Sequence, residues 1–114
     1  MQINGVNLEI KLFDSDFVTK YERAFEHLGS REVEAGQFAS LADAIQFMIG
    51  AYRETIDTIY GEGVYDSLGL SKTDYLENRK FMDDYIAESK RESKVLREHA
   101  RQYSPNRAQR RAKP

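Results

Sequence analysis

Apolar residues recur at spacings of three and four from Ser40 to Tyr60, the longest run of that period in the chain. Leu41, Ala44, Ile45, Met48, Ile49, Tyr52, Ile56 and Ile59 fall on one face of a helix. Ser40 opens it, because its hydroxyl accepts an otherwise unpaired backbone N–H. Asp43 suits the positive end of the same helix. Gly61 and Gly63 stop it. Gln46, Arg53, Glu54 and Asp57 supply the wet side. Phe47 lies off the main stripe, so the apolar face is wider than a two-layer packing needs. Two readings follow: core packing on two sides, or an edge held open for a partner subunit.

The pattern changes on either side of that helix. Near the start, Asn4-Gly5 is a hairpin-turn signal, and Val6, Leu8, Ile10 and Leu12 alternate with Asn7, Glu9 and Lys11. Period two predicts a strand with one buried face, in a lopsided hairpin that needs a helix or another chain to lie on. Asp14-Ser15-Asp16 offers caps for a first helix. Its stripe is Phe17, Val18, Tyr21, Phe25 and Leu28, and Gly29 is expected to end it. Arg31–Gln37 reads as a loop or a frayed helical end. After the central helix, three glycines punctuate Tyr60–Ser71, with one helical turn expected between them and Val64, Tyr65 and Leu68 turned inward. Ser71 and Asp74 open a last helix with a broad apolar surface of Tyr75, Leu76, Phe81, Met82, Tyr85 and Ile86. Beyond Ile86 only Val95 and Leu96 are large and apolar before residue 101, which predicts a solvated rod projecting from the core. Residues 104–114 carry nothing apolar larger than Ala and are expected to be disordered when free.

Charge sharpens this division. The net charge is −2. Residues 1–88 hold 8 Lys/Arg against 17 Asp/Glu, whereas residues 89–114 hold 9 against 2. An acidic body therefore carries a basic end, which favours head-to-tail association or an arm reaching an acidic partner. At 114 residues one domain is the natural count. The chain has no Cys, which excludes disulfides, thiolate chemistry and Cys-type zinc sites. No run approaches the ~18 apolar residues of a membrane span. The first ten residues lack the basic and apolar regions of a signal peptide.

Catalytic chemistry is hard to assemble. The two histidines, His27 and His99, fall on different helices, one as a surface residue or helix cap and one in the rod. No Ser sits in a nucleophile elbow. Gly61-Glu62-Gly63 lacks the Lys-Ser/Thr ending of a phosphate loop. Asp83 and Asp84, adjacent on a helix, point in different directions and read as solvated surface. No catalytic, cofactor or metal site is predicted, and the protein is expected not to be an enzyme. The basic end admits nucleic-acid binding through Arg and Lys on phosphates, but the acidic body repels a polyanion. It also admits a peptide arm that folds on an acidic or helical partner, or a merely solubilising tail.

The end of the chain, Tyr103-Ser104-Pro105-Asn106-Arg107-Ala108-Gln109-Arg110-Arg111, resembles the terminus of small proteins from tail-gene clusters of tailed phages and prophages of Gram-positive bacteria. The Ile3-Asn4-Gly5 turn, the stretch Asp16–Leu28 and Tyr60-Gly61-Glu62-Gly63 before a long last helix are similar to the same pattern. The resemblance implies a tail assembly chaperone. Such a protein binds the tape-measure protein, keeps it soluble and recruits tail-tube subunits. It would act in the host cytoplasm and be absent from the mature virion. A structural tail component, for completion or connection, is the alternative within the same clusters, and a nucleic-acid-binding accessory protein is the second. No contact residue of that family maps onto this sequence, so candidates come from physics: Phe47, Tyr52 and Tyr85 as surplus aromatic surface, and Arg107, Arg110, Arg111 and Lys113 as the basic arm.

The expected fold is mainly α (α+β): a short N-terminal β-hairpin or strand, three main helices and a disordered basic C-terminal tail. Residues 1–103 form a single helical domain and 104–114 the tail. The core centres on Leu41, Ile45, Met48, Ile49, Tyr52 and Ile56, packed by Phe17, Tyr21, Phe25, Leu28, Met82 and Ile86. An isolated hairpin and polarised charge also predict a homo-oligomer.

Overall fold

A computed structural model describes residues 1–112, with side chains through Arg101. The expected tail, with Arg107, Arg110, Arg111 and Lys113, lies outside the described side chains.

The chain opens on a two-stranded antiparallel hairpin, β1 (Gln2–Ile3) and β2 (Val6–Asn7), with Ile3 opposite Val6. Asn4 and Gly5 both take positive φ, 46° and 81°, the pair a two-residue hairpin turn requires. Met1 and Leu8 exchange two further hydrogen bonds of 2.8 Å, N-terminal ammonium to carbonyl and amide to carbonyl. The regular strand ends there, short of the expected one. The alternation itself persists: Leu8 and Leu12 are buried, Ile10 is half-buried, Glu9 and Lys11 are exposed. No neighbouring strand offers a ladder to this segment. Instead the Tyr60 hydroxyl donates to the Glu9 carbonyl at 2.8 Å and ties it to the helices.

Four helices follow: α1 (Ser15–Ala35), α2 (Leu41–Tyr60), the single turn α3 (Val64–Ser67) and α4 (Tyr75–Ala112). Asp14 caps α1 by accepting from the Asp16 amide at 3.0 Å, and Ser40 caps α2 by accepting from the Asp43 amide at 3.3 Å. Asp57, near the end of α2, accepts from the amides of Gly63 and Tyr65 and so caps α3 from outside it. Asp74 accepts from the Leu76 amide at 3.0 Å, and Ser71 holds the turn before it.

α1 is about two turns longer than expected. Gly29 lies inside it on the exposed face, and Gly36 ends it. Arg31–Ala35 are helical because Arg31 meets both Glu34 on α1 and Glu54 on α2, so the segment read as a loop is pinned to the next helix. One Gly costs a helix interior about 1 kcal/mol, less than the packing on either side of it supplies.

α2 is the organiser. α1 runs antiparallel to it: Phe17 meets Tyr60 at one end, and His27 meets Glu54 farther along. α4 runs parallel to it, with Tyr75 beside Tyr52 and Tyr85 beside Tyr60. Between them lie Leu28, Met48, Tyr52, Ile56, Phe81, Met82 and Tyr85, with Leu8 from the hairpin and Tyr65 and Leu68 from around α3. A second cluster of Leu12, Phe17, Ala24 and Ile59 closes the end near the hairpin. One expected core member moves out: Leu41 is 78% exposed, being the first residue of α2 and beyond the reach of its neighbours, while Tyr21, Phe25, Ile45 and Ile86 are only half-buried.

Asn78, unremarked in the sequence, is fully buried where α3, α4 and their connection meet. Its amide nitrogen donates to the carbonyls of Ser71 and Asp74, each at 2.7 Å, and its oxygen accepts from the Tyr65 hydroxyl. No buried side-chain polar atom lacks a partner among the described residues.

Candidate partner-binding surface

Tyr52 and Tyr85, expected to offer surplus aromatic surface, are interior residues. Tyr85 stacks on Phe25 with centroids 6.2 Å apart, and its hydroxyl donates to Tyr60, which donates onward to Glu9. Tyr52 shares a hydrogen bond of 3.3 Å with Tyr75. Burial raises the pKa of both hydroxyls well above the ordinary tyrosine value, and pushes Tyr60 up to about 12 against the opposing hydrogen bond from Tyr85. Periodicity placed both rings on an apolar face; it did not say that α1 and α4 would use that whole face. They are therefore withdrawn as contact residues.

Phe47 is half-buried. The Phe38 ring lies 5.0 Å away, and the Arg31 guanidinium sits 5.8 Å from its centroid. More exposed apolar side chains lie at the same end of the bundle. Leu41 (78% exposed), Val33 (69%) and Phe38 (43%) come from the α1–α2 corner, and Leu76 (74%) from the start of α4. The Gln46 side chain donates to the Lys72 carbonyl at 3.4 Å, which brings the start of α4 to the same end of the bundle. Three of the four lie in or next to segments whose pattern predicts loop or core. A clue was present: Phe38 is a large apolar residue inside a polar connection.

The opposite end exposes Phe13, Val95 and Leu96, with Phe13 edge-on to His99 at 6.0 Å. There the distal part of α4 passes the start of α1. A cleft of about 440 Å³ opens between them, with Val18, Tyr21 and Leu96 as apolar lining and Glu22, Lys90 and Arg97 as charges.

The remaining polar features are structural. His27 pairs with Glu54 at 2.8 Å, beside a cleft of about 170 Å³. Asp83 and Asp84 pair with Arg79 and Lys80 one turn back, and the bond from Arg79 to Tyr75 and the pair with Asp83 hold that guanidinium firmly protonated. Such exposed pairs contribute about 0–1 kcal/mol each. Among the described residues no group of three or more His, Asp or Glu is placed to hold a metal ion, and no helix is long and apolar enough to cross a membrane. What the surface can do is bind: large apolar side chains stand in water at both ends of a stiff helical frame.

No curated protein and no solved structure matches the chain. The model of DUF6673, a family of unknown function, matches residues 4–114, and the chain therefore belongs to that family.

Proposed function

We propose that this protein is a non-enzymatic tail assembly chaperone of a tailed phage or prophage. It binds the tape-measure protein, and through it tail-tube subunits, in the host cytoplasm, and it is absent from the finished virion. The observation that carries the reading is the exposure of Val33, Phe38, Leu41 and Leu76 at one end of the bundle, with Phe38 packed on the half-buried Phe47. Four large apolar side chains in water are a standing cost for a free protein and fit one that covers another chain. The resemblance of the terminal Tyr103–Arg111 stretch to phage tail-cluster proteins supplies the kind of partner. A tape measure is long, helix-rich and aggregation-prone until coated. Many copies of a small protein, each offering an apolar patch and a rod, suit that task.

The test is co-expression with the long tail protein encoded nearby. The chaperone should raise its soluble fraction and co-purify with it. Leu41→Asp combined with Leu76→Asp should abolish both while the isolated variant still folds, because both side chains are already solvated. Co-purification with no change in the double variant would move the site elsewhere, and absence of any effect on the tail protein would sink the reading. Recovery of the protein from purified virions would instead make it a structural component of the tail.

A further inference from the structure

The cleft between α1 and the distal part of α4 has walls of opposite sign. The α1 wall presents Glu22; the α4 wall presents Lys90 and, two turns farther along, Arg97. Between them lie the apolar Val18, Tyr21 and Leu96. Val18 and Tyr21 are half-buried and Leu96 is 39% exposed, so the floor is only partly covered within one chain. α1 and α4 run antiparallel, since the first is antiparallel and the second parallel to α2. The α4 wall is also lined by Ser93, half-buried and small enough to let another helix approach closely.

We propose that this cleft is a two-fold interface occupied by a second copy of the same chain, with the symmetry axis along the groove. A two-fold interface must complement itself, which is demanding for a surface of one charge and natural for a groove with one acidic and one basic wall. Rotation about an axis parallel to the helices lays α1 of the second copy over α4 and keeps each residue at its own height. The acidic wall with Glu22 then faces the basic wall of the second copy, and the reverse contact forms across the axis. Leu96 and Val18 of the two copies meet between them, closing a four-helix arrangement of α1, α4 and their symmetry mates. The perpendicular axis would set α1 on α1, acid against acid, and is disfavoured by the same charges. This interface is at the opposite end from the apolar corner assigned to the tail protein, so the two stand or fall separately.

The experiment is sedimentation equilibrium on the full chain across concentration, with circular dichroism as a check on folding. The wild type should show a monomer–dimer equilibrium. Leu96→Asp should weaken it by about a hundredfold through an unpaired buried charge, with unchanged helicity. Glu22→Lys alone, or Lys90→Glu with Arg97→Glu, should weaken it roughly tenfold, and the three together should restore it. A wild type that stays monomeric overturns the proposal. So does a dimer indifferent to Leu96→Asp, or one that the combined charge reversal fails to restore. Binding of the tail protein by wild type but not by Leu96→Asp, in the absence of any dimer, would assign the cleft to that partner and likewise overturn it.

Discussion

Asn78 uses its whole amide in the interior. Both amide hydrogens are spent on the Ser71 and Asp74 carbonyls at the start of α4, and its oxygen receives the Tyr65 hydroxyl. It thus does in the core what a capping side chain does at the surface, and fixes α3 against α4 in the process. Asn78→Leu keeps the volume but takes this partner from the Ser71 carbonyl and from the buried Tyr65 hydroxyl, while the Asp74 carbonyl keeps the backbone amide of residue 78. The expected cost is about 2–4 kcal/mol, seen as a lower urea midpoint with little change in slope. Tyr65→Phe removes one partner and should cost about 1–2 kcal/mol. Because both act on one network, the double variant should lose less than the sum of the two. Additive losses would mean that the bond between them carries no energy of its own.

At the scale of elements, the chain was most readable where a local rule has a local cause. Asn4-Gly5 turns because both residues tolerate positive φ, and Ser40 caps α2 because its hydroxyl reaches the Asp43 amide. Neither depends on distant residues. The errors share a different cause. Leu41 continues the α2 stripe, yet periodicity names a face without saying how far the covering helix extends, and nothing covers the first turn. Gly29 read as a stop because its propensity is poor, but the Glu54 carboxylate on α2 holds Arg31 and keeps α1 winding. If this account is right, the glycine is a tolerated weakness. A Cβ built at Gly29 meets nothing within 4 Å. Gly29→Ala should therefore stabilise the protein by about 0.5–1 kcal/mol, raising its thermal midpoint by a few degrees. A loss of stability would show that the glycine is needed for packing against something other than this chain.

Across the whole molecule, folding and charge are distributed unequally along the chain. Among the described residues, every member of the buried clusters lies at or before Tyr85, and the last buried side chain is Ser89. Residues 89–114, by contrast, carry 9 of the 17 basic residues. Core and basic end are thus separable in a way the central α2 helix is not. A chain cut to residues 1–103 loses Arg107, Arg110, Arg111 and Lys113. It should keep its thermal midpoint within the shift expected of about 0.5 kcal/mol, since the buried clusters among the described residues all lie at or before Tyr85. Its binding to the tail protein is the discriminating measurement. If the apolar corner supplies the affinity and the arm only steers encounter, truncation should slow association several-fold at low salt and leave dissociation unchanged. The difference should fade as ionic strength rises and the screening length falls to about 8 Å near 0.15 M. Faster dissociation at all salt concentrations would instead place the arm in the bound interface, and the apolar corner would then be only part of the site.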